Sequence, residues 1–212
     1  RATVAPAAGN TTAADSIAIG VEATADNYKT TAIGTYARAK GRQSTVIANN
    51  VQGSNYSTAS GTRAQVYGVE TTVSGNNSVA IGDTNTVASD RTYAIGNNIN
   101  LAAGTGDSLV FGTQAHAGAS RAVAMGKNAT VQAQSGVAIG DNAVTNGINQ
   151  VSIGYKAGDV TETDNKKTPR TTDIGNFGVM IGNYAGAQYT ADQTTPVKHQ
   201  HGTVAVGTQA GR

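Results

Sequence analysis

Apolar residues in this chain recur on a 14-residue period. The clearest copies are Ser78-Val79-Ala80-Ile81-Gly82, Ser16-Ile17-Ala18-Ile19-Gly20, Gly136-Val137-Ala138-Ile139-Gly140 and Gln150-Val151-Ser152-Ile153-Gly154. Looser copies end at Gly34, Gly68, Gly96, Gly112, Gly126, Gly182 and Gly207, and one ends at Ala48. The spacings from each marker to the next run 14, 14, 20, 14, 14, 16, 14, 14, 14, 28 and 25. Three places after the marker stands a small or apolar residue, as in Ala23, Ala37, Val51, Ala115, Ala129 and Ala143. Five after it stands another, as in Ala25, Ala39, Val73, Val87, Leu101 and Val131. Turn residues such as Gly41, Gly75, Ser89 and Gly147 follow at the seventh place. Each period therefore divides into two short strands of period-two alternation and two tight turns. A helix is excluded, because no helical period exists and glycines this frequent would cost about 1 kcal/mol each there. The prediction is an all-β solenoid of about 12–13 coils.

The columns predict what each face meets. The residue before the marker is apolar in every copy, from Ile19 and Ile33 through Phe111 and Met125 to Val206. With the residue two places earlier, it is expected to fill the roll interior. The column between them points the other way and is apolar at all but Ser152: Ala18, Ala32, Val46, Val66, Ala80, Ala94, Val110, Ala124, Ala138, Ser152, Met180 and Ala205. A strand apolar on both faces is buried on both. The second face therefore needs a partner, and an exposed stripe of that length would be unusual for a soluble monomer. The expected interface residues are Ala18, Ala32, Ala80, Ala94, Ala124, Ala138 and Ala205.

Composition agrees with a thin coil. Gly is 27 of 212 residues, Trp is absent and aromatics are 5%. Small residues pack well where backbone approaches backbone. The ordered pattern argues against the disorder that Gly/Asn/Thr-rich sequence otherwise suggests. The net charge of +2 is mixed in distribution, so nucleic acid is not an expected partner. There is no Cys, hence no disulfide frame and no thiol chemistry. No apolar run approaches a membrane span, and the start, Arg1-Ala2-Thr3-Val4-Ala5-Pro6, has no apolar signal core. The chain reads as an internal piece of something longer.

Ser-Val-Ala-Ile-Gly followed by x-x-Ala, repeated once per period, resembles the head of trimeric autotransporter adhesins of Gram-negative bacteria, with repeats like those of the Yersinia adhesin. The resemblance runs from about Asp15 to Arg212. It implies a left-handed parallel β-roll, assembly as a homotrimer, and binding to host extracellular-matrix proteins (fibronectin, laminin or collagen) or cell-surface receptors. It implies a place on the bacterial cell surface, with outer-membrane anchoring through a C-terminal region outside this chain and no membrane contact by this part. The expected organisation is a lead-in over 1–14 and one β-roll over 15–212, with insertions at about 158–177 and 188–202.

Insertions in solenoids form loops and often carry binding surfaces. The two long ones supply Lys166, Lys167, Arg170 and Lys198, the candidate ligand-binding cations. The row Arg38, Lys40 and Arg42 in one second strand is the next candidate. His199-x-His201 lacks a third ligand of evident geometry, so no metal site is expected. His116 is expected on an outer strand or turn. Tyr28, Tyr36, Tyr56, Tyr155, Tyr184 and Tyr189 are expected at turns or loops. Nothing singles out a nucleophile or a phosphate loop, so no catalytic residue and no cofactor are expected, and the chain reads as a non-enzyme. Two alternatives to an adhesin present themselves. A purely structural spacer is compatible with the sequence. An ice-binding roll needs a regular Thr ladder, and the threonines are read as holding no single column.

Overall fold

The computed structural model describes residues 1–4, 15–51, 55–158, 177–186, 202 and 204–210. All regular structure among them is β, and the strand pairs are parallel and in register, one repeat apart. Two compact units, Arg1–Asp107 and Ser108–Arg212, share this plan.

In the first unit, the first strands of successive repeats are Ile17–Ile19, Thr31–Ile33, Thr45–Ile47, Gln65–Tyr67, Val79–Ile81 and Tyr93–Ile95. They stack so that Val79, Ala80 and Ile81 lie beside Tyr93, Ala94 and Ile95. The second strands, Thr24–Ala25, Ala37–Ala39, Ser57–Ala59, Thr72–Val73, Thr86–Val87 and Asn100–Leu101, form the opposite sheet. Thr3–Val4 joins that sheet beside Thr24–Ala25, so part of the expected lead-in is already β structure. In the second unit, the first strands are Leu109–Phe111, Val123–Met125, Val137–Ile139, Val151–Ile153, Val179–Ile181 and Val204–Val206. The second strands there are His116–Ala117, Thr130–Val131 and Val144–Thr145. Longer repeats do not break the register: Val46 pairs with Val66 across the first of them, and Ser152 with Met180 across a doubled period.

The coil interior holds the small residues. Ala32, Val46, Val66, Ala80, Ala94, Val110, Ala124, Ala138 and Met180 are fully buried, and so are Ala25, Ala39, Val73, Val87, Leu101 and Val131 from the facing strands. The large neighbours point outward: Ile19, Ile47, Ile81 and Phe111 are exposed. This inverts the expected assignment of faces. So short a coil brings its two sheets close together, and two opposed rows of Ile have no room between them. One step shows the fit: a Cβ at Gly186 would strike the Met180 side chain from the opposite wall.

The corners are not made by Gly alone. Left-handed residues recur seven apart and are mostly not Gly, for example Glu22, Lys29, Tyr36 and Gln43, or Asn77, Thr84, Arg91 and Asn98. The marker glycines have a separate reason. Gly82 has φ +114°, and a Cβ there would collide with the carbonyl oxygen of Gly96 in the next coil. Ala48 stands where the chain departs into the first lengthened repeat. Ser57 takes the place beside Ala37 expected for Val51, and Val51 is 72% exposed.

Buried polar groups tie coil to coil. Ser78 Oγ donates to the Ser89 carbonyl (2.7 Å) and accepts from Thr92 N–H (3.1 Å). Ser16, Thr71, Asn85 and Ser108 repeat this double role on the same or the opposite corner. Each bond satisfies a backbone group that the tight corner would otherwise bury unpaired.

Candidate functional site

Two surfaces carry the functional argument. The first is the outer face of the first-strand sheet. In the first unit it presents Ile17, Ile19, Ile47, Ile81 and Tyr93 as exposed apolar side chains, and in the second unit Leu109, Phe111, Ile181, Val204 and Val206. In-register pairing stacks them into two apolar columns in the second unit, whereas in the first unit the column of Ile19, Ile47 and Ile81 is apolar throughout and Thr31, Thr45 and Gln65 interrupt the column of Ile17 and Tyr93. Water-facing positions of a one-sided sheet are ordinarily polar. This face is an apolar stripe that its own chain leaves uncovered.

The interface expected on Ala18, Ala32, Ala80, Ala94, Ala124, Ala138 and Ala205 is thereby corrected. Ala32, Ala80, Ala94, Ala124 and Ala138 have no exposed surface, Ala205 is buried, and Ala18 is half-buried in the first of these coils. A side chain sealed inside its own coil has nothing to offer a second chain. The unpartnered apolar face exists, on the flanking Val and Ile columns. The sequence signal that distinguishes the two is size, because the buried column of the first strand is mostly Ala and Val while the outward column before the marker is mostly Ile.

The second surface is the outer side of the second-strand sheet and the corner after it. Arg38 sits in Ala37–Ala39 with its guanidinium 3.0 Å from the centre of the Tyr56 ring. Tyr56 meets Tyr36 edge to face at 5.2 Å and donates its hydroxyl hydrogen to Glu22 (3.2 Å). Lys40 and Arg42 are exposed, and the Tyr28 ring lies 5.4 Å from the Arg42 guanidinium and 5.1 Å from the Lys29 ammonium. Burial pushes the Asp26 carboxyl up from its ordinary pKa, while Lys40 and Arg38 pull it back. In the expected row of Arg38, Lys40 and Arg42 the two arginines are therefore braced by rings, which spacing alone did not reveal.

Other expected residues fall as follows. Lys166, Lys167, Arg170 and Lys198 lie outside the described residues, as do His199, His201 and Tyr189. His116 is exposed on the strand His116–Ala117. Tyr155 and Tyr184 occupy corners and meet edge to face at 5.4 Å beside Lys156. No cluster of three or more metal-ligating side chains occurs among the described residues. The reading that threonines hold no column is overturned: Thr24, Thr58, Thr72 and Thr86 share one outward column with Arg38 and Asn100. That column offers one Thr per coil and is broken by Arg38, which spoils a flat ice-matching array.

The YadA head domain repeat matches the chain over residues 12–37, 25–47, 67–85, 74–98, 106–129 and 132–157, together more than half of its length. No curated protein matches the chain. The matched stretches carry the paired strands, the marker glycines and the apolar columns described above, and the chain belongs to the YadA head domain repeat family, the heads of trimeric autotransporter adhesins.

Proposed function

We propose that this chain forms the homotrimeric head of a bacterial surface adhesin that binds host extracellular-matrix proteins such as fibronectin, laminin or collagen, or cell-surface receptors. The observation that carries the assembly is the exposed Val/Ile face. Packing it against copies of itself removes apolar surface at about 25 cal/mol per Å², and obligate interfaces are large and apolar in this way. The number three comes from the family. In this reading the chain works by binding and not by catalysis, and a C-terminal region outside this chain supplies the outer-membrane anchor.

Three copies multiply modest contacts through effective concentration. The insertion cations Lys166, Lys167, Arg170 and Lys198, and the cluster of Arg38, Lys40 and Arg42, are the candidate contacts with host proteins. The test is surface-immobilised fibronectin, laminin and collagen titrated with the chain, with and without deletion of residues 161–172. Saturable binding that weakens in the deletion supports the insertion as the site. Binding unchanged by the deletion moves the site to the coil surface. No binding by a folded trimer replaces the adhesin reading with a structural spacer.

A further inference from the structure

Residues 27–69 contain no Asp or Glu, yet they hold Lys29, Arg38, Lys40, Arg42 and Arg63. The remaining ten basic residues of the chain are matched by thirteen acidic ones. Positive charge is thus concentrated in one stretch of a nearly neutral protein. Stacking then concentrates it in space. Gln43 N–H donates to the Tyr28 carbonyl (2.9 Å), and Arg63 N–H donates to the Arg42 carbonyl (2.8 Å). Lys29, Arg42 and Arg63 therefore stand on the same corner of three successive coils. Arg38 lies in the coil of Arg42, on the strand that leads into that corner, and Lys40 follows that strand.

Among the described residues the one ion pair is Arg91 with Asp107, and none of the five takes part in another. Arg91 shows what neutralisation looks like here, with Nε and a terminal nitrogen on both carboxylate oxygens. Four of the five are held by neutral groups instead, and Lys40 is exposed. Tyr56 carries Arg38, Tyr28 carries Lys29 and Arg42, and Asn77 Oδ1 accepts from Arg63 Nε at 2.6 Å. Ring and amide supports fix direction and leave the charge in place. Of the neighbouring acids, Glu22 accepts from Tyr56, and the half-buried Asp26 lies near enough to Lys40 and Arg38 for both to pull its pKa down without an ion pair.

We propose that this corner binds a linear sulfated polysaccharide of the glycosaminoglycan class; the proposal rests on the adhesin reading and supplies a ligand chemistry for it. Cations repeat along the stack at about 4.8 Å per coil, a line that a regular polyanion can follow with several groups at once. Guanidinium forks suit sulfate and carboxylate oxygens. Gln43 and Thr62 beside them can hydrogen-bond sugar hydroxyls. The corner offers charge and hydrogen-bond donors with no large exposed aliphatic side chain, because those exposed in these coils, Ile17, Ile19, Val21, Ile47 and Val51, lie on the first strands or on the turn that follows them.

The test compares the whole chain with K29A/R42A/R63A and with R1A/R121A/K127A, which loses equal charge elsewhere. Probes are a heparin octasaccharide, its desulfated form, and a polyglutamate peptide of equal charge, titrated by calorimetry at low and raised salt. Circular dichroism and light scattering establish that each variant keeps its fold and assembly. The proposal predicts heparin binding that falls about tenfold or more in the corner variant, with a shallower salt dependence. It predicts unchanged binding in the control variant, weak binding of the desulfated sugar, and tighter binding in Asp26→Asn. Equal loss in both triple variants, or polyglutamate binding as tight as heparin, overturns it. So does absence of heparin binding, and fibronectin and laminin titrations on the same samples then decide the adhesin reading separately.

Discussion

Ala80 and Ile81 are neighbours in one strand, yet Ala80 is 0% exposed within its own coil while Ile81 is 41% exposed on the outer face. The two substitutions Ala80→Asp and Ile81→Asp should therefore fail differently. An unpaired carboxylate at Ala80 costs about 3–5 kcal/mol and should lower the melting temperature of the coil itself. At Ile81 the carboxylate reaches water in the single chain, so the circular dichroism spectrum should stay β while the assembly dissociates. Light scattering and thermal melts on both variants separate these outcomes. Equal behaviour of the two would mean that the faces have been assigned wrongly.

Gly82→Ala and Gly104→Ala probe two sources of glycine dependence. Both sites have positive φ, +114° and +91°, but an added Cβ strikes the Gly96 carbonyl at the first and meets nothing within 4 Å at the second. Backbone strain alone costs about 1–3 kcal/mol. Gly104→Ala should cost no more than this, and Gly82→Ala should cost clearly more. Chemical denaturation of both variants measures the difference.

Ser78 and Ser44 stand at the same place in their repeats, but only Ser78 is bonded. Ser78→Ala leaves the Ser89 carbonyl and the Thr92 N–H without their side-chain partner, at about 1–3 kcal/mol. Ser44 Oγ is buried with no partner, so Ser44→Ala should be neutral or stabilising. Equal destabilisation by the two would contradict the ladder as a source of stability.

The Asp26 carboxyl, raised by burial, gives a pH signature. A raised folded-state pKa favours the protonated form in the fold. Its contribution to stability is thus full below the ordinary Asp pKa and is lost as pH rises through the raised value. Asp26→Asn should raise the melting temperature near neutral pH, leave it unchanged at acid pH, and flatten the profile between. A variant whose melting temperature falls at neutral pH would show that Lys40 and Arg38 outweigh burial.

Much of this was legible in the chain. The regular spacing of the markers implied the pairing of Ala80 with Ala94 and of Ile81 with Ile95, because equal positions of successive 14-residue coils stack beside one another. The apolar column on both sides of the strand correctly implied a face without a partner. It did not say which column was inside, since Ala and Ile are both apolar and the width of the coil appears only once two strands face each other. Left-handed corners at Tyr36 and Arg91 were hidden because stacking imposes a backbone state that neither side chain favours. The rings under Arg38 and Arg42 were hidden because Tyr56 arrives from an insertion and Tyr28 from the preceding coil.

The most direct test of the account is the solution mass of the chain at micromolar concentration, by sedimentation equilibrium or light scattering. The account predicts three copies of the 21.3 kDa chain, persisting on dilution, with Ile81→Asp shifting the mass toward one copy. A stable, folded single copy of the unaltered chain, with its Val/Ile face open to water, would contradict it.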